Sequence, residues 1–229
     1  MFRGKGPIVC GRFTLTSSSE ALAADFEVSE VERFEPRFNI APSQEIAVVR
    51  EAESGARECV ALRWGMIPAW AKDPKTSHAP INARSETAAS KPTFRKAMSH
   101  RRCLVPASGF YEWRGKGGAK QAYYFRMQER ELFAIAGIFE LWRGDGGEII
   151  ESVALLTSEA NAVVAPVHAR MPVILAKSNY KRWLDRENRD SASIADLMTP
   201  CPVDWLESFA VSSKVNNPRF DEPACIEPI

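Results

Sequence analysis

The chain has 229 residues, 45% of them hydrophobic and 26% charged, and its 30 basic residues stand against 29 acidic ones for a formal net charge of +1. That length and polarity suit one globular domain with a real apolar core, and the charge balance excludes a global basic field for duplex DNA, so a nucleic-acid site has to be a local cluster. The 5 cysteines form no Cys-x-x-Cys pair and the 3 histidines lack metal-ligand spacing, which argues against a disulfide framework, a zinc site or any other bound cofactor. No run approaches a membrane span and residues 1–9 lack the apolar stretch of a secretory signal, so the expectation is a cytoplasmic monomer with no membrane partner.

In chain order, Ser17-Ser18-Ser19-Glu20 is a capping-box start, after which Leu22 and Phe26 share one helical face. Strand-like runs follow at 45–50 and 58–64, separated by Glu53-Ser54-Gly55. Residues 71–80 read as a long exposed loop. A short helical pattern at 93–99 precedes strand-like runs at 102–105, 122–127, 132–141 and 149–157. The turns between them are Gly115-Lys116-Gly117-Gly118 and Gly144-Asp145-Gly146-Gly147. Further helical patterns are expected at 158–164, 178–184 and 191–198. Tight turns without regular helical crossovers predict an α+β fold, mainly antiparallel, with peripheral short helices. No internal repeat or linker divides residues 10–229, which are expected to form one domain.

Cys10-Gly11-Arg12-Phe13 carries the most suggestive chemistry. A cysteine at a mature N-terminus holds an amine and a thiol on adjacent carbons; together they capture an aldehyde, first as an imine and then as a five-membered ring. The ordinary pKa values, about 7.7–8.0 for the amine and about 8.5 for the thiol, leave useful fractions of both nucleophiles near neutrality. Four other segments combine polar residues with aromatic or proline neighbours. They contain Asn39 and Pro42; Trp64 and Trp70 running on to Asn82 and Arg84; Glu112 between Tyr111 and Trp113; and His168 with Arg170. Taken singly each has a plainer reading: the asparagines as turn formers, Glu112 as an outward-facing strand residue, His168 as a bonded core histidine, the arginines as solvated charges and the tryptophans as core.

Taken together, Cys-Gly-Arg-Phe, Asn-Ile-Ala-Pro, Trp-Gly-Met-Ile-Pro, Asn-Ala-Arg-Ser-Glu-Thr, Gly-Phe-Tyr-Glu-Trp and His-Ala-Arg-Met-Pro resemble, in type and order, the motifs of the SRAP family of SOS response-associated peptidases, or abasic-site processing proteins. The resemblance extends from Cys10 to Pro228 and includes Val211-Ser212 and Val215-Asn216. It implies a barrel-like α+β fold and a sensor that binds single-stranded DNA and covalently traps abasic sites. It implies Cys10 as the nucleophile of a thiazolidine, Asn82 as the group orienting sugar and cysteine, Glu112 as the proton-transfer carboxylate, and His168 as the acid–base group that assists reversal. It also implies Arg12, Arg84 and Arg170 on phosphates, Asn39 and Pro42 shaping the cleft, and Trp70 as a stacking wedge. Where some members carry two tryptophans in a row, this chain has Trp70-Ala71.

In the family the cysteine follows the initiator methionine, whereas here residues 1–9 precede it. While they remain, the Cys10 nitrogen is an amide and cannot form an imine. Either Val9 is the true start, its GUG codon read as methionine and the methionine then removed, or the chain cuts its own Val9–Cys10 bond; the first is preferred, since nothing in 1–9 looks like a folded element. Two other functions fit parts of the pattern: a cysteine peptidase using Cys10 with His168, and a non-covalent single-strand binding module needing only the arginines and tryptophans.

Overall fold

A computed structural model describes residues 10–29, 31, 34–75, 79–115 and 120–229. The extension 1–9, the centre of the loop 71–80 and most of the glycine turn 115–118 lie outside the described residues. The elements in chain order are β1 (Phe13–Leu15), α1 (Ser19–Phe26), β2 (Arg37–Ile40), β3 (Glu45–Glu51), β4 (Arg57–Trp64), β5 (Asn82–Arg84), α2 (Ser85–Ala88), α3 (Arg95–His100), β6 (Arg102–Ala107), β7 (Gly109–Arg114), β8 (Gln121–Met127), β9 (Phe133–Arg143), β10 (Ile149–Glu159), β11 (Arg170–Pro172), β12 (Ile174–Leu175), α4 (Tyr180–Leu184) and β13 (Leu206–Ala210), with short 3-10 turns between several of them.

The circuit β10–β4–β3–β6–β9 closes on itself because β9 pairs again with β10. All of its pairings are antiparallel except the one between β10 and β4. β9 shows why a barrel forms. From Phe133 to Glu140 it is buried without a break, as expected of a strand covered on both faces. A second sheet, in the order β13-β8-β7-β1-β2, packs against this barrel. The main core joins Phe13, Phe110 and Phe125 from the second sheet to Val48, Leu104 and Ile138 from the barrel. The expected α+β, barrel-like architecture is therefore present.

Helices are short and peripheral. α1 starts where the serine run predicts: the Ser18 hydroxyl accepts from the Ala21 N–H at 3.2 Å, and Leu22 and Phe26 face the core. One helical expectation gives way to other structure, and another is met in a tighter form. Residues 158–164 finish β10 and then turn, because the Asn161 side chain accepts from the N–H groups of Val163 and Val164, both at 3.1 Å, and fixes a turn in place of a helix. Residues Ser191–Met198 wind as 3-10 helix behind Asp190, whose carboxylate accepts from the Ala192 N–H at 2.9 Å.

Candidate active site

Strand register brings Cys10 to Glu112. In the ladder between β1 and β7, Phe13 lies opposite Phe110 and Thr14 opposite Gly109. The Tyr111 N–H donates to the Arg12 carbonyl at 3.0 Å, which extends the pairing back towards Cys10. Along a strand successive side chains point to opposite faces. Phe110 and Glu112 thus share one face, and Phe110 stacks on Phe125 at 5.0 Å between ring centres. Tyr111 lies on the other face, in a smaller cluster with Tyr124, Val211 and Val215. Because the C-terminal segment covers that outer face, β7 has no open side, and Glu112 is 2% exposed rather than solvated.

The Cys10 backbone N–H donates to Glu112 Oε1 at 2.6 Å. Burial pushes the Glu112 carboxyl up to about 8, against the pull of the Cys10 and Trp113 N–H groups towards the charged form. Burial, and then the Glu112 charge, push the Cys10 thiol well above its usual range. Both groups therefore hold protons near neutrality. Cys10 sits at φ 42°, the left-handed region that a residue with a Cβ enters only at a cost of roughly 1–3 kcal/mol.

A second group assembles around the C-terminal end of β10. On one side Leu155, Leu156 and Thr157 pair with Asn82, Ala83 and Arg84; on the other, Thr157 to Glu159 pair with Pro172 to Arg170. His168 Nδ1 lies 3.0 Å from the Arg170 nitrogen and 3.2 Å from the Arg170 carbonyl oxygen, so the imidazole is held against the Arg170 backbone through that one nitrogen. Arg170 does not reach into solvent. It grips both oxygens of Glu86 on α2 and donates to the Thr157 carbonyl at 2.6 Å, and these contacts hold Glu86 below its ordinary carboxylate range.

The two groups lie on different sheets and are tied through Trp64. Its ring meets Phe13 edge-on at 5.2 Å, and its indole N–H donates to the Ile81 carbonyl at 3.0 Å, next to Asn82. Gly65 then turns the chain at φ 123°, a conformation closed to residues with side chains, while its N–H donates to Val153 of β10 at 2.9 Å. Beyond that turn a cleft of about 570 Å³ opens, lined by Trp70, Pro80, Asn82, Arg84, Lys91 and Thr93 among others. Trp70 is 69% exposed on its rim, in a turn pinned by the Trp142 indole N–H donating to the Ala71 carbonyl at 2.6 Å. Arg84 is exposed on the same wall.

Arg12 and Asn39 are placed differently from Arg84. Arg12 donates to Asn39 Oδ1 at 2.9 Å and to the Val215 carbonyl at 2.8 Å. The fully buried Asn39 donates its amide to the carbonyls of Val215, Asn217 and Phe220, and its backbone N–H to Asp221. Pro42 is half-buried in the turn between β2 and β3. Cys10 with Glu112, and Asn82 with Arg84, His168 and Arg170, are thus brought together as two neighbouring sets, while Arg12 and Asn39 hold the C-terminal segment. Sequence reasoning missed Glu86, Asn216 and Asp221 as partners of these residues. The acid four residues after Asn82 was a visible signal for Glu86; the tail contacts carry none, being set by long-range packing. Among the described residues no group of three His, Cys, Asp or Glu side chains is placed to hold a metal ion, and no helix is long and apolar enough to cross a membrane.

A family model described as SOS response associated peptidase (SRAP) matches residues 9–218. The chain is 38% identical over 223 residues to the abasic site processing protein YoqW of Bacillus subtilis (strain 168), covering 96% of this chain and 99% of that protein. It is 32% identical over 228 residues to the abasic site processing protein HMCES of Gallus gallus, covering 86% of this chain and 67% of that protein. Among solved structures, a Bacteroides thetaiotaomicron protein superposes with a TM-score of 0.84 at 24% identity, over 96% of this chain and all 100% of that one. A Bordetella bronchiseptica protein does so with a TM-score of 0.74 at 29% identity, over 89% of this chain and 100% of its own.

Proposed function

The chain belongs to the SOS response associated peptidase (SRAP) family, and on that footing we propose that it processes abasic sites in single-stranded DNA by capturing the sugar aldehyde on Cys10. The observation that carries this reading is the contact between the Cys10 nitrogen and the buried Glu112 carboxyl at 2.6 Å. Once Cys10 is N-terminal, its amine attacks the aldehyde carbon of the opened deoxyribose and a proton passes from nitrogen to oxygen. Glu112, protonated by virtue of its burial, gives its proton to the departing hydroxyl, which leaves as water. It recovers a proton from nitrogen as the imine forms. The thiol then adds across the imine, sulfur to carbon and hydrogen to nitrogen, closing the thiazolidine with one water released in all. Asn82 orients the sugar, and His168 serves the reverse reaction as an acid–base group. Trp70 and Arg84 receive the strand in the cleft, stacking a base and holding a phosphate.

The same pair supports a second reaction, release of residues 1–9, because the atom bonded to Glu112 in this chain is the peptide nitrogen of Cys10 in a left-handed conformation. The Cys10 sulfur would attack the preceding carbonyl, the nitrogen would leave with a proton from Glu112, which takes up the thiol's proton in return, and water would hydrolyse the resulting thioester to a free acid and the restored thiol. Autocleavage predicts that a chain purified with residues 1–9 loses them in a time-dependent way and that Cys10→Ala keeps them, as read by intact mass. The covalent reading is tested by incubating the processed chain with abasic single-stranded DNA; it requires a denaturation-resistant adduct that forms without borohydride and is absent from Cys10→Ala.

A further inference from the structure

The C-terminal segment from Val211 to Asp221 crosses the outer face of the second sheet. Two successive residues within it, Val215 and Asn216, touch both the segment leading into β1, which carries Cys10, and β7, which carries Glu112. On the β1 side, Arg12 donates to the Val215 carbonyl at 2.8 Å and to the Asn216 carbonyl at 3.5 Å. On the β7 side, the Trp113 indole N–H donates to Asn216 Oδ1 at 2.7 Å. Arg12 lies two residues from Cys10 and Trp113 one residue from Glu112. The Arg12 guanidinium also sits 6.0 Å from the Trp113 ring centre, so the two legs of this bridge touch each other.

The bridge is itself pinned. Val215 is fully buried among Tyr111, Tyr124 and Cys225. Asn39 holds three carbonyls of the segment at 2.8–3.1 Å, and Asp221 accepts from the backbone of Asn39 and from Arg37. An exposed asparagine at position 216 has no packing reason of its own. Its side chain completes a staple whose other parts are buried or fixed.

We propose that Asn216 is a positioning residue for the reaction, holding the Cys10–Arg12 segment and the strand of Glu112 at their mutual distance through Arg12 and Trp113. This rests on the reading of Cys10 and Glu112 as the reacting pair. It assigns Arg12 to alignment of the nucleophile rather than to a phosphate. Because side chain 216 is exposed and only its Oδ1 is used, Asn216→Ala removes one leg while the fold remains.

Two measurements on the full-length chain and on the chain starting at Cys10 test this. Asn216→Ala is expected to form adduct roughly 10- to 100-fold more slowly, the scale of a misplaced reacting group, with affinity for undamaged single-stranded DNA within about twofold of the parent. Asn216→Asp, which keeps an acceptor at Oδ1, is expected to recover most of the rate. Equal loss of rate and affinity, or failure of Asn216→Asp to recover, would overturn the assignment. If the parent itself forms no adduct, the reading of the function fails, and amide hydrogen exchange still decides on the staple. Asn216→Ala should exchange faster at residues 10–14 and 109–114 with its melting temperature unchanged; unaltered exchange there would overturn the staple.

Discussion

Glu112 is the residue on which structure and chemistry pull in opposite directions. Its carboxyl, pushed up to about 8 in the folded chain, titrates near 4.3 when unfolded. Between those values the folded chain keeps a proton that the unfolded chain has released, so folding stability falls as pH rises through this window and levels off above it. Glu112→Gln cannot ionise, yet its amide oxygen can still accept the Cys10 N–H. It is expected to abolish the decline, leaving the variant more stable than the parent at pH 8.5 by on the order of a few kcal/mol and nearly equal at pH 5. Urea unfolding at the two pH values reads this directly; parallel pH dependences in parent and variant would contradict it. The same variant is expected to slow adduct formation by about 10²–10⁴-fold, the usual contribution of proton transfer. The residue type was legible in the sequence, but its burial was not. Alternation alone allowed Glu112 to point into water, and only the C-terminal segment covering the opposite face makes the inward placement necessary.

At the scale of elements, β7 and the Trp70 turn do the positioning. A Cβ built on Gly109 would lie 2.3 Å from Cζ of Tyr124, whose hydroxyl meets Thr14 Oγ1 at 2.9 Å. Gly109→Ala therefore has to displace the buried Tyr124 ring from its place over β7 and from Thr14, and is expected to destabilise the chain by about 1–3 kcal/mol and to slow adduct formation; a melting temperature equal to the parent's would contradict the close packing. Trp70 contributes nothing comparable to the core. Trp70→Ala is expected to leave the melting temperature unchanged and to weaken single-strand binding by about 1–3 kcal/mol, the usual worth of one stacked base; unchanged affinity measured by fluorescence anisotropy would remove Trp70 from the DNA path. Long runs such as β3, β4, β9 and β10 were legible because they contain several periods of pattern. The three-residue strands β1, β5 and β11, which carry or flank most of the candidate site, were not: three residues show no period, and their pairing is imposed by β7 and β10.

Across the whole molecule a net charge of +1 leaves DNA binding to local cations. Of the three arginines that the motifs suggested for phosphates, only Arg84 faces the cleft; Arg12 and Arg170 are engaged with carbonyls and with Glu86. Arg84→Ala is expected to flatten the salt dependence of single-strand binding by about 0.7. Arg170→Ala is expected to lower the melting temperature instead, with a smaller change in slope; equal slope changes would place both on phosphates. The most direct test of the account as a whole is mass spectrometry of the peptide crosslinked to abasic single-stranded DNA. Capture by amine and thiol together gives a stable adduct on a peptide beginning at Cys10, heavier than the free peptide by the aldehyde fragment less one water. A stable adduct on a peptide that still carries residues 1–9, or on any other cysteine, would contradict it.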